Sequence, residues 1–154
     1  MNNVFYTYDT PYGIIIVESN GSAITSIKTE STAKPAGIKS ADNLTDKAAK
    51  QLSEYFEGKR KQFDLPIKPQ GTKFQLSVWK ALGDIPYGET RSYKDIATAT
   101  GNPKACRAVG LANNRNPIWI IIPCHRVIGA NGALIGYGGG LEMKQRLLDL
   151  EKSN

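Results

Sequence analysis

Apolar and polar positions divide the chain into two stretches with different periods. Up to about residue 30 the apolar residues come in short β-branched and aromatic runs. Val4-Phe5-Tyr6-Thr7-Tyr8 is followed by the turn cluster Asp9-Thr10-Pro11-Tyr12-Gly13 and by an apolar run at 14–18. Ser19-Asn20-Gly21 signals a hairpin, and 23–28 reads as a third strand. Residues 29–41, rich in Ser, Thr, Lys, Pro and Gly, predict a loop. The period then becomes helical. Leu44, Ala48, Leu52, Tyr55 and Phe56 share one face of a helix opened by Asp42 or Thr45 and stopped by Gly58. Residues 63–67 predict a short extended segment.

Lys68-Pro69-Gln70-Gly71 reads as a linker between residues 1–68, a small lobe with an antiparallel sheet and a helix, and residues 69–154, mainly helical. The fold class is therefore α+β. In the second part Thr72 caps a helix bearing Phe74, Val78, Trp79 and Leu82, which Gly83 ends. Ser92 and Asp95 form a capping-box pattern, with Asp in place of the usual Glu, for a helix holding Tyr93, Ile96, Ala97 and Thr100. Gly101 ends it, and Asn102-Pro103 then predicts the N-cap and first residue of another helix running through Lys104, Ala105, Cys106, Arg107, Ala108, Val109, Gly110, Leu111 and Ala112. Two short helices across a tight glycine turn read as a helix-turn-helix or as an ordinary helical hairpin.

Charge favours the first of these. The net charge is +6, with 20 Lys and Arg against 14 Asp and Glu. Residues 1–69 are nearly balanced, whereas 70–154 carry 11 basic and 6 acidic side chains. A basic half suggests a polyanion; a solvated basic face is the plainer reading. The second helix of the pair offers mainly small residues, which suits close approach to a minor groove better than base reading in a major groove. Arg107 is the candidate wedge into the duplex, or else a surface phosphate contact or a partner in an intrahelical ion pair. The longest apolar runs, 13–17 and 118–122, fall far short of the ~20 residues that span a bilayer. No signal-peptide pattern opens the chain, which leads us to expect a cytoplasmic protein, with no membrane partner.

Candidate chemistry gathers at one place. The run 118–122 leads into Pro123-Cys124-His125-Arg126, where the single His of the chain adjoins one of its two Cys. Nearby cations lower a thiol's pKa and expose the nucleophilic thiolate. A buried cysteine acting as a small hydrophobe, beside a structural histidine, is the competing reading. On a regular strand neighbouring side chains point to opposite faces, so Cys124 and His125 can cooperate only across a turn or through a water. A Cys106–Cys124 disulfide is disfavoured, and two Cys with one His cannot make a four-ligand zinc site.

The stretch Asn116-Pro117 followed by Ile121-Ile122-Pro123-Cys124-His125-Arg126-Val127-Ile128 resembles the active-site signature of the O6-alkylguanine-DNA alkyltransferases, also called methylated-DNA–protein-cysteine methyltransferases. The resemblance runs over residues 70–154. It includes Ile85-Pro86-Tyr87-Gly88-Glu89, the segment 103–110, Asn131-Gly132, Gly136-Tyr137 and a closing helix at 141–151. It implies a winged helix-turn-helix domain, with the wing at 128–135. It also implies irreversible, single-turnover transfer of an alkyl group from O6 of guanine in duplex DNA to Cys124, after the nucleotide has been flipped out.

The same resemblance assigns roles. His125 would hold Cys124 as thiolate through a water, Glu151 would orient His125, and Asn116 would brace the turn carrying Cys124. Tyr93 would crowd the target phosphate and protonate guanine N3. Arg107 would enter the duplex, with Lys104, Ala105, Ala108 and Arg126 also on DNA in the minor groove. Backbone groups of Cys124 and Val127, with Tyr137, Gly138 and Gly139, would line the base pocket. The reaction needs no cofactor and no metal, and the protein would act as a monomer in a prokaryotic cytoplasm. Gly138 stands where some relatives carry Ser, which predicts tolerance of larger alkyl groups. A non-catalytic lesion sensor and a Cys-His-Glu hydrolase are the rival readings; the presence of Cys124 argues against the first.

Overall fold

The computed structural model describes residues 3–30, 34–132 and 140–154. The chain forms two compact units, Met1–Gln70 and Gly71–Asn154, each built around its own core.

In the first unit, strands β1 (Val4–Thr10), β2 (Gly13–Ser19) and β3 (Ile24–Thr29) form an antiparallel meander. The register puts Tyr6 opposite Val17 and Tyr8 opposite Ile15, so Tyr6, Tyr8, Ile15 and Val17 share one face, with Ile27 beside Val17. Helix α1 (Asn43–Phe56) covers that face through Ala48, Leu52 and Tyr55, one apolar stripe at helical spacing. The Tyr8 hydroxyl, bonded to Thr45 Oγ1 at 2.9 Å and Asp46 Oδ1 at 2.8 Å, ties sheet to helix. Both residues proposed to open α1 do so together: Asp42 is the N-cap, and Thr45 returns the reciprocal bond of a capping box. The segment at 63–67 bridges β3, with Ile24 bonded to the backbone of Pro66 and Lys68. One strand lies inside the expected loop. β4 (Ile38–Lys39) runs parallel to the start of β1, and its two residues are too few for any alternation to show in the sequence.

The second unit holds α2 (Lys73–Gly83), β5 (Arg91–Ser92), α3 (Tyr93–Ala99), α4 (Cys106–Asn114), β6 (Val127–Ile128) and α5 (Leu141–Lys152). Thr72 with Gln75 and Ser92 with Asp95 form the capping boxes that start α2 and α3. Val78, Trp79 and Leu82 of α2 are buried, as are Ile96 and Ala97 of α3 and Val109 and Ala112 of α4. The Trp79 indole N–H donates to the Ala112 carbonyl at 2.9 Å and locks α2 to α4. Gly101, at φ +87°, makes the turn between α3 and α4.

Helix α4 starts three residues later than the sequence suggests. Asn102-Pro103-Lys104-Ala105 closes a turn through the Ala105 N–H to Asn102 carbonyl bond, and Ala105 caps α4 without a side-chain bond. Proline's fixed φ suits the second position of such a turn as well as a first helical position. Lys104 and Ala105 therefore sit on the turn leading into α4. β6 pairs in parallel with β5, Arg91 opposite Val127. The expected wing at 128–135 is described only as far as residue 132, where the Gly132 N–H bonds the Gly129 carbonyl.

Candidate active site

The apolar run 118–122 is a chain of tight turns. Ile120 has φ +73°, and the Ile121 N–H to Trp119 carbonyl bond of 2.8 Å closes a γ-turn of the rare left-handed kind around it. Pro123, at φ −82° and ψ 66°, centres an inverse γ-turn closed by the Cys124 N–H to Ile122 carbonyl bond, also 2.8 Å. Asn116 braces both turns from beneath. Its Oδ1 accepts from Ile118 N–H at 3.0 Å and its Nδ2 donates to the Ile122 carbonyl at 2.7 Å. Cys124–Arg126 is then a single 3₁₀ turn. The condition that Cys124 and His125 lie on a turn rather than a strand is met.

His125 is fully buried, and its Nε2 lies 2.6 Å from Glu151 Oε2. Glu151, near the end of α5, also accepts from Arg126 Nε at 2.8 Å, Arg126 Nη2 at 3.0 Å and the Gly88 N–H at 3.1 Å. A carboxylate paired with a guanidinium can only accept, so His125 Nε2 carries the proton and Nδ1 is left as the lone pair. Nδ1 is buried and has no hydrogen-bond partner among the described residues. Burial pushes the His125 pKa below its ordinary value and outweighs the upward pull of Glu151; Arg126 and Lys144 push it further down. The site thus presents a neutral imidazole with a free basic nitrogen.

Neither Cys124 nor Cys106 is in a disulfide. Cys124 is 2% exposed, yet its surroundings are polar. Burial raises the Tyr93 phenol pKa and the negative charge of Cys124 adds to the rise. Burial lowers the Lys144 pKa, and attraction to Cys124 opposes it. Lys144 is completely buried on α5, in one stripe with Leu147 and Glu151, and its Nζ donates to the Val127 carbonyl. The Asn113 amide, 1% exposed at the end of α4, donates to the Cys124 carbonyl at 3.4 Å.

Of the residues singled out in the sequence, the structure brings Cys124, His125, Glu151, Asn116, Tyr93 and Val127 to one place. Arg107 and Ala108 are exposed on α4, with Lys104 exposed just before it. Arg126 is a correction. Its guanidinium is buried on Glu151 and on the Ile85 carbonyl, 2.7 Å from Nη1, so it holds the site together and does not face DNA. Tyr137, Gly138 and Gly139, and with them the expectation about larger alkyl groups, lie outside the described residues. Lys144 and Asn113 were not singled out. A polar residue on the buried stripe of a helix (144, 147, 151 in α5; 109, 112, 113 in α4) is the signal that marks them.

Comparison with known proteins fits this geometry. The family described as 6-O-methylguanine DNA methyltransferase, DNA binding domain, matches residues 73–153, and its ribonuclease-like domain matches residues 3–69. The chain belongs to the 6-O-methylguanine DNA methyltransferase family. A member from Mycobacterium tuberculosis, named methylated-DNA–protein-cysteine methyltransferase, is 49% identical over 152 residues, covering 97% of this chain and 92% of its own. A member of the same name from Methanosarcina barkeri is 65% identical over 107 residues, 70% of this chain and 68% of its own. Among solved members of the family, the Mycobacterium tuberculosis protein in complex with DNA has a TM-score of 0.93 at 48% identity, covering 97% of this chain and 93% of the other.

Proposed function

We propose that this protein repairs alkylated DNA by moving the alkyl group, a methyl in the simplest case, from O6 of guanine in duplex DNA to the sulfur of Cys124, once per molecule. The observation that carries the proposal is the Glu151–His125 pair beside Cys124. A carboxylate that fixes the tautomer leaves a neutral imidazole with a basic Nδ1 next to a thiol. The thiol proton passes to His125 through a bridging water. The thiolate attacks the alkyl carbon, the S–C bond forms, and the C–O6 bond breaks with its electron pair going to the purine. Tyr93, kept protonated by its raised pKa, donates to N3. The proton held at His125 returns through water to restore the phenol, so guanine leaves neutral and the thioether stays.

O6 lies inside the base stack, so the nucleotide is rotated out before reaction. Arg107, exposed on α4, fills the gap from the minor groove, and the small Ala108 beside it lets the helix come close. The protein acts as a monomer in the cytoplasm on the cell's own DNA. No helix among the described residues is long and apolar enough to cross a membrane. Incubation with a duplex carrying labelled O6-methylguanine tests the proposal. The label is expected on the Cys124 peptide, and Cys124→Ala should keep duplex binding and take up none. Label on the alanine variant, or an unlabelled wild-type protein, would refute it. Repeated turnover would instead favour a hydrolase.

A further inference from the structure

On the exposed side of α4, one large apolar side chain stands among polar and small ones. The exposed residues of the helix and its C-cap are Arg107, Ala108, Leu111, Asn114 and Arg115. They recur at helical spacing and make one stripe, on the far side from the buried Val109, Ala112 and Asn113. Leu111 is 59% exposed, the most exposed large apolar side chain among the described residues. It lies one turn after Arg107 and one turn before Arg115, and α4 carries no acidic side chain that could pair with either. A single exposed leucine is ordinary on a protein surface. This one interrupts a basic face, at a position where packing makes no demand on the side chain.

The proposed function seats this stripe in the minor groove with Arg107 at the vacated stack, and the inference rests on that reading. Leu111 then lies about 6 Å further along the helix axis. At about 3.4 Å per base step, it covers a pair one or two steps from the flipped guanine. The floor of the minor groove presents a purine N3 and a pyrimidine O2 as acceptors in every pair, and a G·C pair adds the 2-amino donor of guanine. Methyl groups seated there displace the water that accepts from this amine and offer no acceptor in return, which costs free energy. Over an A·T pair the same methyl groups meet the adenine C2–H and leave no donor unpaired. We propose that Leu111 is a specificity-determining residue of the DNA-binding face, which makes repair faster where the pair beneath it lacks a minor-groove amine. Lys104 and Arg115, exposed at the two ends of the helix, supply attraction to phosphates that is the same for every sequence.

The test measures the second-order rate of single-turnover methyl transfer from duplexes that carry one O6-methylguanine and differ at a single flanking pair, scanned on both sides. Replacing G·C by inosine·C removes only the amine, and replacing A·T by 2,6-diaminopurine·T adds only the amine. At one flanking position wild type should react roughly fivefold or more faster with the amine-free pair in both comparisons, the lower end of the cost of a donor left without an acceptor. Leu111→Ala should react with both members of each comparison at rates within about twofold of each other. Leu111→Gln, whose carbonyl can accept from the amine, should reverse the preference. Both variants change an exposed side chain and should keep the wild-type denaturation midpoint. A preference that survives in the alanine variant belongs to groove width or duplex stability and overturns the inference. Wild type indifferent to the amine at every flanking position overturns it without any variant. Wild type that takes no methyl from any of these duplexes defeats the proposed function instead.

Discussion

Glu151 is where the protonation states of the site converge. One oxygen accepts from Gly88 and Arg126, the other from His125 and Arg126. Glu151→Gln keeps the shape but brings an amide donor to His125, which lets the imidazole take the other tautomer and lose its free lone pair at Nδ1. Alkyl transfer should fall by about a hundredfold or more in single-turnover assays. The same change leaves Arg126 buried without its counter-charge, and stability should drop by roughly 3–5 kcal/mol. His125 also makes stability depend on pH. Its folded pKa lies below the unfolded value of 6.5, so below that pH the unfolded chain binds a proton that the folded chain refuses. Stability from this group is complete above pH 6.5 and is lost as pH falls from there towards the folded pKa, at up to about 1.4 kcal/mol per pH unit. Denaturation midpoints measured between neutral and mildly acid pH should show that slope, and His125→Gln should flatten it.

At the scale of elements, the turns around Cys124 carry the strain. Ile120 is β-branched, buried and left-handed, a combination that costs about 1–2 kcal/mol in the backbone alone. Ile120→Ala and Ile120→Gly remove nearly the same burial, but only glycine relieves the strain. The glycine variant should unfold at a higher denaturant concentration than the alanine variant, by about 1 kcal/mol; the reverse order would show that the turn is unstrained. None of this was legible in the sequence, where 118–122 reads simply as a buried apolar run. Periodicity reported the three long strands, and with capping residues it reported α1, α2 and α3, because Asp42, Thr72 and Ser92 each pair with a partner three residues on; α5, which has no side-chain cap, was expected only from the family resemblance. The late start of α4 was not legible, since proline after asparagine serves a turn and a helix start equally well. The site was legible as Cys124 beside His125. The inward turn of Arg126 was not, because a charge next to the nucleophile looks the same in sequence whether it faces Glu151 or solvent.

At the scale of the whole molecule, the basic excess of the second unit sets how DNA is held. Lys104 and Arg107 are exposed at the start of α4, and a lysine on a phosphate makes affinity fall with salt. Lys104→Ala should reduce the slope of log affinity against log salt by about one. Arg107→Ala, if the arginine fills the vacated stack, should slow transfer more than it changes that slope. A slope lowered equally by both variants would make Arg107 a phosphate contact only.

The most direct measurement for the whole account is stoichiometry. Protein mixed with an excess of O6-methylguanine duplex should release repaired DNA in an amount equal to the protein and then stop, with one methyl group on each molecule and that methyl on Cys124. Continued release beyond one equivalent, or a methyl group on any other residue, would contradict the account.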